Sequence, residues 1–600
     1  MNGLDLLILA ITVLALAYAL YGGRLARLWG IDPARKTPAR DLEDGMEYVP
    51  SSPSVVFGHE FASIAGAGPI NGPIIAAMFG WVPVLLWLLL GAIFFGAVHD
   101  FAALYTSVRN KGKSIGSLIE LYAGKTGKRL FLVFVWLFSI LIIGAFADIV
   151  ADAFSGFGPG GEPIKTNAQV ASASLFFIAA AVGMGFLIYR KKTSGLASGI
   201  IAVDLLVFCI VLGLFFPIFL SKDLWLLVVF GYIFISSVVP VWSLGQPRNY
   251  LNFFLLIAMI LAAFIGVVFT RPQMSIPPFT GFSVNGNLLF PGLFITIACG
   301  AISGFHSMVV TGTVSRQIEN EWHILPISYG SMLLETLVAV LALIAVASLA
   351  RDGVLPREAP PVVFATAVSG FLRQLGFPDE VSFSIVSLAV SSFVFTTLDT
   401  VARLGRLSFQ ELFTCGTAEA PLNAGPEHVD SGYAGPEHAE SGYAGPEHAG
   451  PSGDRGKTFP AFLRRIMGTK PVSALCTLLP AYLLAILGYQ NIWALFGAAN
   501  QLLAAFTLLV CALFLKQSRR GTAVLIVPTF IMLAVTYSSL AITAGTKIGL
   551  LIRGNFNPGV DGFQLSIALA LLVVGILVGL SCLSKLFSKN PANGTAGEIP

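Results

Sequence analysis

The stretch FGHEFASIAGAGPINGP, residues 57–73, decides how this chain is read. It is apolar enough for membrane depth, yet Gly66, Gly68, Pro69, Gly72 and Pro73 rule out a continuous α-helix. Proline removes a donor and clashes with the preceding turn, and glycine forfeits helical propensity. The helix is therefore expected to stop and restart. Backbone N–H and C=O groups freed at membrane depth are tolerated only where they line a protected cavity, and discontinuous helices of this kind form the binding sites of secondary transporters. The amino end of the half-helix beyond Gly68 would favour an anionic group. Close packing through small residues would explain the glycines, but not paired prolines beside His59 and Glu60. His59, Gly66, Gly68, Asn71 and Gly72 thus become candidates for substrate contact.

A second stretch, ITIACGAISGFHSMVVTGTVSR from Ile295, repeats the theme and adds Gly300, Ser303, Gly304 and His306 to the candidates. His306 would serve as a ligand for substrate or proton, or as a plain hydrogen bond between helices.

Around these stretches the 600-residue chain is 56% hydrophobic and only 11% charged, against roughly a quarter charged in soluble domains. About fifteen apolar spans follow one another. They centre on residues 4–22, 55–78, 81–107, 129–154, 168–189, 197–220, 224–243, 250–269, 291–313, 326–349, 381–402, 471–487, 492–515, 522–543 and 562–584. The predicted fold is an all-α polytopic membrane protein. Twenty-eight of the 36 Lys and Arg residues fall in alternate loops, among them Arg248, Arg316 and Arg403, and eight in the others. The positive-inside rule then puts the amino terminus outside and the carboxyl terminus in the cytoplasm. In this orientation the two Gly-rich spans run antiparallel, as inverted repeats require. The first span carries Asp5 where a signal peptide would be basic, and reads as an uncleaved helix.

The expected organisation is an N-terminal transmembrane helix (1–30), a transporter core in two parts (44–402 and 471–515), peripheral helices (516–584) and a cytoplasmic tail (585–600). A cytoplasmic loop (403–470) divides the core and holds the repeats AGPEHVDSGY, AGPEHAESGY and AGPEHAG over residues 424–450. Their composition cannot bury enough apolar surface to order itself, and they read as a disordered linker. The six cysteines show no CxxC pair and read as small apolar fillers.

Ionisable groups inside a membrane are expensive and mark functional sites. Glu60, Asp100, Glu335 and Asp399 are the candidates for ion coupling, with the hydroxyls of Thr396 and Thr397 suited to sodium. Asp399 has Arg403 one helical turn on, which would make a structural ion pair. Glu335 has no cation nearby in sequence. His99 and Asp100, adjacent on one helix, point to different faces, so only one would meet the pathway. VPVWSLGQPRNYL from Val239 reads as a hinge or a rigid turn through Pro240, Gly245 and Pro247.

Together FGHEFASIAGAGPINGP, GAVHDF, VPVWSLGQPRNYL, LFITIACGAISGFHSMV, YGSMLLETLVA, TTLDTVARLGR and WALFGAANQLLA resemble the carbon starvation protein A (CstA) family, from about Asp44 to about Lys516. The resemblance implies a LeuT-like, amino acid–polyamine–organocation core of two five-helix inverted repeats with broken first helices. It also implies uptake of peptides or pyruvate with protons under carbon limitation. It makes Gly66–Pro73 the first substrate helix and Gly300–His306 its counterpart. Many members carry a second His where this chain has Glu60; the stretch between the tenth and eleventh spans is short for the family, and the decapeptide repeat is foreign to it.

The expected function is proton-coupled import of a small carbon source, a peptide or a pyruvate-like carboxylate, with the bilayer and a proton or sodium as the other partners. A nutrient sensor and an intramembrane enzyme are the alternatives. For the enzyme, HExxH spacing fails at Ser63; no Walker motif is present to drive import by ATP instead of an ion gradient. No cofactor, metal site or nucleic-acid partner is implied.

Overall fold

The computed structural model describes residues 2–414, apart from 46, 159, 192–194 and 240, together with 466–587. The decapeptide repeat and most of the tail lie outside the described residues, as does Pro240 of the expected hinge.

The chain opens with α1 (Gly3–Leu28), and the first Gly-rich stretch folds as two half-helices, α2 (Pro53–Ile64) and α3 (Gly68–Phe79), bent by 44°. Pro53 and Pro69 each sit in a first turn, where a missing N–H costs nothing. Next come α4 (Trp81–Arg109) and the 40-residue α5 (Ile115–Phe154), kinked at Gly124 with φ 85°. Helices α6 (Lys165–Lys191), α7 (Gly195–Phe215), α8 (Lys222–Val238) and α9 (Val241–Thr270) lead to the second broken span, α10 (Leu289–Thr296) and α11 (Phe305–Gly312). There Gly300 takes φ 88°, a left-handed backbone that favours glycine. Then follow α12 (Glu321–Leu349), α13 (Pro360–Gln374) and α14 (Asp379–Thr414). The last four helices are α15 (Lys470–Ile486), α16 (Tyr489–Gln517), α17 (Ala523–Ile552) and α18 (Val560–Phe587).

The spans read from the sequence fall largely on helix, with interruptions such as 65–67 and 297–304. Ten helices among the described residues are long and apolar enough to cross a membrane, or eleven with the bent pair counted as one. Two departures have clear causes. Helix α13 falls in a stretch read as loop, because a 15-residue helix that buries Val363, Phe364, Ala367, Val368 and Phe371 and leaves Arg373 outside is too short and too amphipathic for a span-length search. Gly245 and Pro247 lie in the first turns of α9 rather than in a loop, so only residues 239 and 240 separate α8 from α9.

Burial orders the helices from the centre outward. Helix α16 is buried throughout its apolar window, and α5 packs more extensively on α14 than any other pair of helices does. Of the ten span-length helices, α1, α9 and α18 are the most exposed, as expected of a rim facing lipid. Small residues let the inner helices approach: Gly96 of α4 sits on the backbone of Ala301, Gly304 on α16, and Gly405 of α14 on Ser139 of α5. A pattern recurs along the chain: a broken pair, a long helix, a short helical segment and a second long helix, first over 53–154, where the short segment is the part of α5 before the Gly124 kink, and again over 289–414, where it is α13. Residues 49–51 pair with 316–318, linking the start of α2 to the segment after α11 (Val49 N to Arg316 O, 3.2 Å; Ser51 N to Gln317 O, 3.1 Å).

Gly96→Ala should overpack the contact with Ala301 and Met332, whose side-chain Cε lies 2.8 Å from the added carbon. The expected cost is about 1–3 kcal/mol, read as faster thermal inactivation in detergent. Gly231→Ala on α8, where nothing lies within 4 Å, should not destabilise the protein.

Candidate functional site

The two breaks meet at the centre of the molecule. A Cβ on Gly68 would come within 2.5 Å of Cys299, and one on Gly72 within 2.9 Å of the Thr296 carbonyl, so only glycine permits this approach. Between them lies a cavity of about 30 Å³ lined by Ser63, Ile64 and Gly66–Pro69 from the first break and by Cys299, Ser303, Phe305 and His306 from the second. Ile142 and Phe146 of α5, Thr397 of α14, and Phe496 and Asn500 of α16 complete the wall.

Helix α16 holds the second break in place. Asn500 Oδ1 accepts from the Phe305 N–H at 3.0 Å, satisfying an orphan donor at the start of α11, and Asn500 Nδ2 donates to Ser303 Oγ at 3.1 Å. Trp493 Nε1 donates to the Thr296 carbonyl at 3.2 Å and Gln501 Nε2 to that of Phe294, covering the open end of α10. Sequence reading missed this role. The signal was the pair of amides in the otherwise apolar WALFGAANQLLA, which in a membrane calls for partners as a charge does.

Beside the cavity is a buried ionisable cluster drawn from four elements. Asp100 of α4 accepts from or shares a proton with two imidazoles: His99 Nδ1 lies 2.7 Å from Oδ1, and His306 Nδ1 lies 2.8 Å from Oδ2. His306 Nε2 is 3.4 Å from Glu335 Oε2 of α12. Glu60 of α2 is wholly buried, has no hydrogen-bond partner among the described residues, and is within electrostatic reach of Asp100, His306 and Glu335. Both nitrogens of His306 therefore face carboxylate oxygens. An imidazolium, or a neutral imidazole with a proton on either flanking carboxylate, satisfies both contacts. In each case the Asp100–His306–Glu335 group holds one proton more than a neutral histidine and two carboxylates. Of the adjacent residues on α4, Asp100 meets the cluster and His99 backs it.

The candidates divide as follows. Gly66, Gly68, Ser303 and His306 line the cavity, and Glu60, Asp100 and Glu335 join the cluster. His59 does not line the cavity; it is exposed one turn below Ser63, whose hydroxyl donates to the His59 carbonyl at 2.7 Å. Gly72, Gly300 and Gly304 serve close backbone approach instead: Gly300 lies against Ala339 and Pro69, and Gly304 against α16. Asn71 is buried, its two amide atoms have no partner among the described residues, and it lies off the cavity wall. Cys299, read as a filler, is part of the wall.

Asp399 corrects a second expectation. Its partner is not Arg403 but Arg248, which is 1% exposed rather than in a loop, with Nη1 2.7 Å from Oδ2. Tyr232 of α8 donates to the same oxygen at 3.0 Å and accepts from Arg248. Arg248 Nη2 and Asn252 Nδ2 both donate to Thr396 Oγ1, at 3.1 and 2.5 Å. Arg403 turns instead to the carbonyls of Ser236 and Val239 at the end of α8, at 2.6 and 3.1 Å. A helical end offers unpaired carbonyls that a guanidinium satisfies well, and this drew Arg403 away. The Thr396 hydroxyl, read as a sodium ligand, thus faces a guanidinium, while Thr397 lines the cavity.

A family model described as carbon starvation protein CstA matches residues 2–356 and 461–539. The Escherichia coli (strain K12) protein named peptide transporter CstA is 31% identical over 615 residues, covering 93% of this chain and 84% of that protein. The pyruvate/proton symporter BtsT of the same organism is 31% identical over 621 residues, covering 94% and 83%. Among solved structures, the manganese transporter of Eremococcus coleocola covers 90% of this chain and 99% of that one, at 11% identity and a TM-score of 0.45.

Arg248→Leu should destabilise the fold by about 3–5 kcal/mol, because it leaves Asp399 buried and unpaired. Arg248→Leu combined with Asp399→Leu should cost less than either change alone. Residual folded fraction after heating in detergent, measured across the cycle, checks both.

Proposed function

The chain belongs to the carbon starvation protein CstA family, and from that premise we propose that it is a secondary transporter moving a small carbon source, a peptide or a pyruvate-like carboxylate, together with protons. The observation that carries this reading is the double position of His306. The ring lines the cavity between the breaks and lies between Asp100 and Glu335 in the buried cluster. Substrate in the cavity and the proton shared by Asp100, His306 and Glu335 therefore act on one side chain. The cavity of about 30 Å³ leaves room for little more than a water molecule, so substrate is admitted only when the half-helices part.

The recurrence of broken pair, long helix, short helix and long helix supports two repeats. With α6–α7 and α15–α16 completing them, the core is an inverted-repeat, LeuT-like assembly of ten of the fifteen spans, and α1, α8, α9, α17 and α18 lie outside it. The distribution of basic residues supports an amino terminus outside and a carboxyl terminus in the cytoplasm of a bacterial inner membrane. Transporter names among the relatives support a non-enzymatic role. Protons are favoured over sodium because Asp399 and Thr396 are occupied by Arg248, whereas the His306 cluster changes its proton count without a metal. A membrane potential contributes about 2.3 kcal/mol per charge per 100 mV, enough for symport to concentrate substrate without ATP.

In proteoliposomes under an imposed proton gradient, Glu335→Gln should cut gradient-driven accumulation of a dipeptide or pyruvate by at least about tenfold, while equilibrium binding changes by less than about threefold. Equal loss of both would assign Glu335 to structural support. Gly68→Leu should abolish binding, since its side chain enters both the cavity and the contact with Cys299; normal affinity in that variant would exclude the cavity as the substrate site. Wild-type vesicles that accumulate neither compound would refute the transport reading.

A further inference from the structure

A second cavity, of about 1360 Å³, lies away from the break-lined site. One wall is the segment joining α12 to α13, and the other is formed by the ends of α5 and α8 with the loop that follows α5. Helix α5 lines both spaces: Phe146 faces the small cavity and Asp152 the large one. The rise of an α-helix puts these residues roughly 9 Å apart along the axis. The large cleft therefore lies close to the inner cavity along this helix, on the face that the basic residues assign to the outside.

Its charges are arranged unusually. Lys222 is committed to Asp148 at 2.9 Å and Asp152 at 3.3 Å. Arg351, Arg357 and Glu358 on one wall, and Asp223 on the other, are exposed and make no side-chain hydrogen bond or ion pair among the described residues. Three of the eight basic residues in the outside loops, Lys222, Arg351 and Arg357, line this one cleft. A cleft with low-dielectric walls focuses the field of such groups on whatever enters it. Two free guanidiniums suit bidentate capture of a carboxylate, and the free carboxylates suit an ammonium.

We propose that this cleft is an entry site for short zwitterionic peptides, in which Arg351 and Arg357 take the terminal carboxylate and Asp223 the terminal ammonium before the peptide passes to the inner cavity. The cleft volume exceeds that of a typical small-ligand pocket, roughly 300–1,000 Å³, and a three-carbon keto acid carries only one of the two charges. The inference rests on the transport reading and narrows its substrate class.

The test uses full-length protein in proteoliposomes with radiolabelled dialanine under a proton gradient. R351A/R357A should raise KM at least about fivefold and leave Vmax within about twofold, and Arg553→Ala, in another outside loop, should change neither. Dialanine amide and N-acetyl dialanine should each compete at least about fivefold less well than dialanine in wild-type vesicles and equally well with it in a variant lacking Arg351, Arg357 and Asp223. Normal wild-type uptake with an unchanged KM in R351A/R357A overturns the entry site and leaves the transport reading standing. A fall in Vmax at constant KM also overturns it, by assigning the arginines a structural role. Accumulation of pyruvate but not dialanine overturns the peptide assignment. Failure of wild-type vesicles to accumulate either compound overturns the transport reading itself.

Discussion

An interrupted helix in an apolar slab must have its loose backbone ends satisfied by the rest of the chain, because no water is there to do it. This constraint organises the whole molecule. The second break is satisfied by one helix buried throughout its apolar window, α16, whose Trp493 and Gln501 reach the end of α10 and whose Asn500 reaches the beginning of α11. The first break is pressed against the second through Gly68 and Gly72, where any side chain would collide. Because α16 is enclosed on every side, the pair of breaks is held at the centre, and the apolar rim of α1, α9 and α18 is left to lipid.

Placing the breaks at the centre brings four carriers of charge together. Glu60 arrives on the half-helix before the first break, His306 on the half-helix after the second, and Asp100 and Glu335 on the long helices that follow each broken pair. The corresponding positions of α4 and α12 in the recurring pattern explain why one carboxylate comes from each side to flank the same imidazole. A separate set of polar contacts holds α8 at both ends, Lys222 to Asp148 and Asp152 of α5, and the final carbonyls to Arg403 of α14. Since α5 and α14 pack most extensively on one another, α8 and α9 are tied to a firm frame beside the cavity rather than to the broken helices.

What the sequence by itself determined was local. Glycine and proline act through their own backbone limits, so breaks could be placed within 66–73 and 300–306 from residue types alone, although the structure confines the first to 65–67, with Gly72 and Pro73 inside a helix, and extends the second over 297–304; the cost of burying a charge marked Glu60, Asp100, His306 and Glu335. The long apolar helices could be found from hydropathy because crossing length is a property of one segment. Partner choice was decided only by the tertiary structure, since a side chain selects among all groups within reach, near or far in sequence. Asp399 took Arg248 because Arg403 found the open end of α8, and Asn500, unremarkable in its own helix, gained its role from a break two hundred residues earlier in the chain. His59 fell outside the cavity for the same reason: its place beside Glu60 fixed which helix it joined, and packing then turned the neighbouring carboxylate, not the imidazole, toward the core.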